Sequence, residues 1–384
     1  MTSLRGITWD HARGFDPLVA TANEYHNLHP NVDISWEKRS LQQFGDSSID
    51  LIAGKFDLLI IDHPFIGSAT SKKHLVPLDE ILPSSFLVEQ QNETVGQSFN
   101  SYFFNGHQFA LPIDAAAQVS AYRPDLMAAS PTDWKRVVEE AERRQLTGEA
   151  MVGVPLLPTD VFCTFVSLCA NYGEPPFGKE EVVTERTGIF VLNFLQHLAK
   201  FLHPSSIDSN PPQMLEKMAS DNEIAYMPLG FGYSNYSRLG FRRNLILFSN
   251  VPSFSNQPRG ACLGGTGLAI SSCSNNIREA AEYAMWVTES NTQRTLYVES
   301  GGQPGNVVAW KDANANRLTN DFFTNTLKTL ELAYVRPRFP RFAEAQSLMG
   351  QIIREYLIEA EEASLCLKKI NELYANIRNN ALST

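Results

Sequence analysis

The sequence predicts an α/β protein of two lobes with mainly parallel sheets, and three observations carry that prediction. The chain has 384 residues, more than one hydrophobic core ordinarily organises and suited to two lobes of about 150 to 200 residues each. Its first 62 residues alternate strand and helix signals. A further strand signal comes late, at 264–273 (GGTGLAISSC), after a second block of strands and helices.

The first strand is LRGITW (4–9), which carries Ile7, Thr8 and Trp9 and stops at Asp10-His11. DPLVATANEYHNLHP follows as a helix, with Asp16 expected as N-cap, Pro17 at the first helical position and Pro30 beyond the end. VDISWE (32–37) alternates as a second strand, and LQQFGDSSIDLIAG reads as a second helix closed by Gly54. FDLLIID (56–62) is a near-continuous apolar run, the mark of a strand buried on both faces. Right-handed crossovers wind such a β-α-β-α-β order into a parallel sheet whose ligands lie beyond the carboxyl ends of the strands. With the third strand beside the first, Asp10-His11 and Asp62-His63 become neighbours there. Asn105-Gly106 between aromatics predicts a hairpin turn.

Beyond residue 115 the pattern predicts a helix in SPTDWKRVVEEAERR capped by Thr132, a buried strand in MVGVPLLP, and helices in TDVFCTFVSLCANYG and TGIFVLNFLQHLAKFL. NEIAYMPLGFGYSNYS reads as a short strand opening into a loop rich in Gly and aromatics. After GGTGLAISSC comes a helix capped by Asn275 or Asn276, and helical stretches near 291–300, 320–331 and 342–376 close the chain.

Composition narrows the function. The hydrophobic share is 43%, the charged share 19% and the net charge -10. An acidic balance excludes a general nucleic-acid binder, which needs clustered Lys and Arg to neutralise phosphates. Arg336, Arg338 and Arg341 form the densest basic group, and three charges in a turn read as a solvated or salt-bridged surface. The five cysteines fit neither a zinc site nor a redox motif. No stretch reaches the ~18 apolar residues of a membrane span. The chain opens directly on its first strand, without the basic, apolar and cleavage regions of an export signal. There is no Gly-x-Ser-x-Gly elbow, Walker loop, His-Glu-x-x-His or helix-opening Gly-x-Gly-x-x-Gly. No cofactor and no catalytic or metal-ligating residue is therefore assigned.

The order of the parts resembles the family 1 extracellular solute-binding proteins, the maltose-binding-protein-like group of ABC transporter receptors. The likeness rests on the opening strand, helix and FDLLIID, then LPIDAAAQVSAYRPDLM, IAYMPLGFGYS and GGTGLAISSCSNNIREAAEYAMWV, with SGGQPG and Arg-Pro-Arg-Phe-Pro after them. It implies a two-lobed periplasmic-binding-protein-like (type II) fold. Residues 1–112 and 261–312 would then form lobe 1, with 113–260 and most of the C-terminal helices at 313–384 forming lobe 2. It also implies a ligand cleft between lobes that close on a small polar solute, a sugar or polyol by preference. The implied partner is an ABC permease, the implied state a monomer, and the implied place the periplasm or another extracytoplasmic space. The missing export signal keeps the cytoplasm open as an alternative. Two other functions stay open on the same scaffold: a cytoplasmic enzyme using Asp and His groups in the cleft, and a ligand sensor that signals by closure.

A cleft that binds a polyol needs flat apolar faces and planar hydrogen-bonding groups. The candidates are Trp9, Asp10 and His11 after the first strand, Asp62 and His63 after the third, and Asp114 and Gln118 at the implied first crossing. Phe231 and Tyr233 stand in the aromatic loop, where Gly230 and Gly232 allow close approach, and Gln303 in Gly301-Gly302-Gln303-Pro304-Gly305. Each has a structural alternative. Trp9, Phe231 and Tyr233 can be core, Asp10 a turn cap, the histidines satisfied structural groups, and the Gln303 loop a turn. Two Asp-His dipeptides also admit a divalent metal, although neighbours along an extended chain point to opposite sides.

Overall fold

In the computed structural model, which describes residues 1–46, 49–178 and 181–382, strand β1 (Thr2–Trp9) lies between two parallel neighbours. It pairs with β2 (Val32–Arg39) from Thr2↔Val32 to Trp9↔Arg39, and with β3 (Leu58–Ile61) through Gly6↔Leu58 and Ile7↔Leu59. Leu58, Leu59, Ile60 and Ile61 are all buried, as a continuous apolar run requires. The chain divides into two compact units. Unit 1 holds 1–116, 264–319 and 335–342, and unit 2 holds 117–263, 320–334 and 343–384.

Unit 1 extends its parallel strands with β10 (Leu263–Ile270), antiparallel to β3 from Gly267↔Ile61 to Ile270↔Leu58. The hairpin β4 (Phe103–Phe104) and β5 (His107–Gln108) turns at Asn105-Gly106, both with positive φ. Helix α1 (Ala12–Leu28) buries one stripe, Arg13, Gly14, Pro17, Leu18, Thr21, Ala22 and Tyr25. Tyr25 meets Tyr283 edge-on at 5.2 Å, and Thr21 Oγ1 bonds the Tyr283 hydroxyl at 3.0 Å.

The first helix begins earlier than Asp16 and Pro17 suggest. His11 is its N-cap, with ring Nδ1 accepting the Arg13 N–H at 3.0 Å. Gly14 makes the early start possible, because a Cβ there would stand 2.2 Å from the Trp9 ring. Helices α2 (Leu41–Asp46) and α3 (Asp50–Ala53) replace the single helix expected over 41–54, whose residues 47 and 48 lie outside the described ones.

Unit 2 is built on β6 (Leu111–Tyr122), the strand that carries the chain out of unit 1. It pairs antiparallel with β8 (Ile224–Phe231) and with β9 (Leu247–Ser249), and β8 pairs parallel with the short β7 (Met151–Val152). The helix Trp134–Thr147 is capped by Asp133, not Thr132, because Asp133 Oδ1 accepts the Arg136 N–H at 2.9 Å. Asn276 caps by position alone, and no side-chain hydrogen bond is made there. One long C-terminal helix is instead two, Phe342–Glu359 and Ala363–Leu382, separated where Ala360 takes φ 54°. Among the described residues no helix is long and apolar enough to cross a membrane.

Candidate functional site

In unit 1 the carboxyl ends of β1, β2 and β3 gather the polar residues. Trp9 ends β1 as a core residue, 3% exposed, with its ring 5.4 Å from Phe44. Asp10 turns outward. Its Oδ1 accepts from Lys38 Nζ at 2.7 Å, and its N–H donates to the Arg39 carbonyl at 2.8 Å. His11 follows as the helix cap already described.

At the end of β3, Asp62 holds two partners. Oδ1 accepts the His63 N–H at 2.8 Å, and Oδ2 accepts from Arg336 Nη2 at 2.9 Å. Burial pushes this carboxyl up, but Arg336 and His63 outweigh it and hold the pKa at about 2. His63 is fully buried. Its Nδ1 lies 3.1 Å from Asp62 Oδ1, and neither ring nitrogen completes a hydrogen bond. Burial lowers its pKa to about 4 against the pull of Asp62, so the ring is neutral near pH 7. It stands edge-on to Tyr102, 6.4 Å between centroids, and the Tyr102 hydroxyl donates to the Ile61 carbonyl.

Asp114, on β6, binds the Arg13 guanidinium through both oxygens, with Nε to Oδ2 at 2.8 Å. Burial raises its carboxyl and Arg13 pulls it back. The 301–305 loop runs along the same stretch of β6 as a substitute strand. Ala115 N–H donates to the Gln303 carbonyl at 3.1 Å, Gly305 N–H to the Ile113 carbonyl at 3.2 Å, and Gln303 Nε2 to the Ala115 carbonyl at 2.8 Å. Gln303 is thus a buried strut for β6.

In unit 2, Gln118 and Phe231 are cross-strand partners. Gln118 Oε1 accepts from Ser167 Oγ at 2.5 Å, and the same Oγ accepts the Cys262 N–H at 2.7 Å. Phe231 closes β8 half-buried, and Tyr233 behind it is 6% exposed. Gly232 is needed between them, since a Cβ there would meet Val119 and Phe322 near 3.0 Å. Tyr226 is a core residue, its hydroxyl 3.1 Å from Ser120 Oγ. Tyr236 is drawn to Glu216 Oε2 at 3.0 Å.

The arrangement therefore brings Trp9, Asp10 and His11 to one strand end and Asp62 and His63 to the next. Gln303, in the 301–305 loop, bonds β6 beside Asp114, and Gln118 and Phe231 form a pair in unit 2. Among the described residues no three His, Cys, Asp or Glu side chains group as metal ligands. One arginine of this edge, Arg39, escaped the sequence reading, whereas Arg13, Arg336 and Arg338 were read as groups that could meet an acidic ligand. Arg39 ends β2, with a strand-end position as its only signal.

The model of the bacterial extracellular solute-binding protein family matches residues 8–294. The chain belongs to that family. Solved structures share the two-lobed fold of these solute-binding proteins. Maltose-bound MalE3 of T. maritima is 18% identical with a TM-score of 0.80, covering 97% of this chain and 99% of that one. A solute-binding protein of an ABC transporter from Agrobacterium radiobacter K84, in complex with ribitol, is 18% identical with a TM-score of 0.82, and 98% of each chain is covered. Another from Thermotoga lettingae TMO, bound with alpha-D-tagatose, is 16% identical with a TM-score of 0.82, covering 97% of this chain and all (100%) of that one. For this solute-binding protein, likeness at such identities establishes the fold.

Proposed function

We propose that this chain is the monomeric, extracytoplasmic receptor of an ABC-type importer and that it binds a sugar or another polyhydroxylated solute. The observation that carries the reading is the family match over residues 8–294. Relatives with the same fold hold maltose, ribitol, tagatose and mannitol, which supports a polyol-like ligand.

The side chains support the same class. Asp10, His11 and Asp62 stand at strand ends, where α/β sheets bind ligands, and Asp10 and His11 are not buried. Carboxylates and ring nitrogens are the planar acceptors and donors that fix hydroxyls. Phe231, half-buried at the end of β8, offers an apolar face. Trp9, His63, Asp114, Gln118 and Gln303 are buried and serve as the frame that holds these groups in place.

A thermal-shift panel of neutral sugars, polyols, organic acids and amines tests the reading. Occupancy at about 100 times Kd adds about 2.7 kcal/mol of stability, so a true ligand raises the melting temperature clearly. A flat response across the whole panel overturns it.

A further inference from the structure

Buried arginines in this protein come with carboxylates. Arg13 has Asp114, Arg123 has Asp125, Arg144 has Glu140 and Arg336 has Asp62. Arg39, half-buried rather than buried, makes no such ion pair with a described side chain. It is the last residue of β2, opposite Trp9, at the carboxyl edge of the parallel strands. Its side chain is only partly exposed and its Nε is fully enclosed without a hydrogen-bond partner. Among the described residues its guanidinium donates a long bond, Nη1 to the Gln43 carbonyl at 3.4 Å.

The acids on flanking positions are already committed. Glu37, two residues back on the same side of β2, accepts from Arg5 Nη2 at 2.6 Å, and Asp10 accepts from Lys38. Among the acids whose side chains the structure describes, which do not include Asp46, no carboxylate lies within ion-pair reach of Arg39. The guanidinium carbon sits 5.1 Å from the Phe44 ring centroid, and Phe44 in turn contacts Trp9. Stacking of this kind supports a guanidinium through its face and leaves the in-plane N–H donors for an acceptor. Burial lowers the Arg39 pKa to about 10, which still leaves it charged at neutral pH.

A partly desolvated cation without a counter-charge is costly, and an anion fits it by charge and geometry. We propose that Arg39 is a ligand-binding residue and that the solute is a polyhydroxylated compound bearing an acidic group, a carboxylate or a phosphate, which the guanidinium recognises. This rests on the reading of the chain as a solute receptor and narrows its substrate class.

The test is calorimetry with the full chain and matched pairs: D-glucuronate against D-glucose, D-galacturonate against D-galactose, D-gluconate against D-glucitol, and D-glucose 6-phosphate against D-glucose. Acetate and inorganic phosphate separate a free anion from an acid carried on a polyol. The expected result is an acidic member binding at least about ten-fold tighter than its neutral partner, the gain of one charge-assisted contact. Arg39→Gln should erase that preference, and Arg39→Lys should keep only part of it, since it retains the charge without the fork. Far-UV circular dichroism of both variants reports the fold, and the wild-type preference should shrink with added salt. A neutral solute bound as tightly as its acid, or a folded Arg39→Gln protein with the preference intact, overturns this inference and leaves the receptor reading standing. Acetate or phosphate bound as well as any polyol acid also overturns it. Absence of binding by every compound removes the receptor reading and this inference with it.

Discussion

Arg13 and Asp114 form a buried ion pair across 101 residues of sequence, with Nε of the arginine 2.8 Å from Oδ2 of the aspartate. The pair ties the first turn of α1 to β6 two residues before β6 leaves unit 1. Taking two charges out of water is expensive, and their mutual attraction repays it only while both are present. Asp114→Asn therefore leaves a buried cation short of its counter-charge and should cost about 3 to 5 kcal/mol in urea unfolding. The double variant Arg13→Met with Asp114→Leu should lose far less than the two single changes added together. A single Asp114→Asn change costing under about 1 kcal/mol would show that the pair is not what holds this corner.

His63 should set part of the response to mild acid. It is faced by Asp62, Arg336, Arg338 and Tyr102, and its folded pKa of about 4 lies below the ordinary 6.5. Between those values the unfolded chain binds the proton and the folded one does not, so stability falls as pH drops from 6.5 towards 4. A shift of this size is worth on the order of 2 to 3 kcal/mol over that window. His63→Phe keeps an aromatic ring against Tyr102 and removes the titration. Its urea midpoint should vary less with pH than that of the wild type between pH 7 and pH 4. Identical slopes for the two proteins would sink the assignment. Asp62, held at about 2 mainly by Arg336 and His63 against the upward push of burial, acts in a lower window. Its contribution is present above the ordinary carboxylate value and is lost as pH falls through 2.

The α/β order at the start of the chain was legible because its signals are local. Val32, Ile34 and Trp36 alternate on β2, Leu58 to Ile61 run unbroken on β3, and Asn105-Gly106 marks its own turn. The cap of α1 was not legible, because it depends on an imidazole accepting a backbone bond and on Gly14 resting against Trp9. The strand-end position of Asp62 could be read from sequence, but its partners could not. Arg336 lies 274 residues from Asp62, and no periodicity announces that a basic stretch rich in Pro and Phe will be buried against it. Arg39 went unnoticed for the complementary reason. A lone cation at the end of a strand looks ordinary until the structure shows that Glu37 and Asp10 are taken by other partners.

The 335–342 segment is seated on a glycine. A Cβ at Gly67 would stand 1.8 Å from the Arg338 carbonyl oxygen, with no flexible side chain to move aside. Arg338 Nη1 donates to the carbonyls of Asn100 and Phe103, and the Arg341 N–H donates to Ser68 Oγ at 3.0 Å. Gly67→Ala should displace this segment, cost about 1 to 3 kcal/mol and speed hydrogen exchange at the Arg341 amide. Gly54→Ala is the control, since a Cβ there meets nothing within 4 Å and its φ is -80°. It should stay within about 0.5 kcal/mol of the wild type. Equal tolerance of the two alanines would refute the close approach at Gly67.

Ser167 closes a relay inside unit 2, donating to Gln118 Oε1 at 2.5 Å while accepting the Cys262 N–H at 2.7 Å. Cys262 returns its carbonyl to the Gln118 N–H at 3.2 Å, so β6, the start of β10 and the helix Pro158–Tyr172 are fixed to one another through a single hydroxyl. Ser167→Ala strands a buried amide hydrogen and a buried amide oxygen together. Each unmet group costs about 1 to 3 kcal/mol, so the loss should exceed that of an exposed serine such as Ser272 changed to alanine by at least about 2 kcal/mol. Ser167→Cys keeps a weak donor and should recover only a fraction of the loss. The decisive measurement is the cycle of Ser167→Ala with Gln118→Leu. Because the leucine removes the stranded oxygen, Gln118→Leu should cost less on top of Ser167→Ala than it does in the wild type. Strict additivity of the two would mean that the relay is geometric coincidence and that each side chain is held by its own packing.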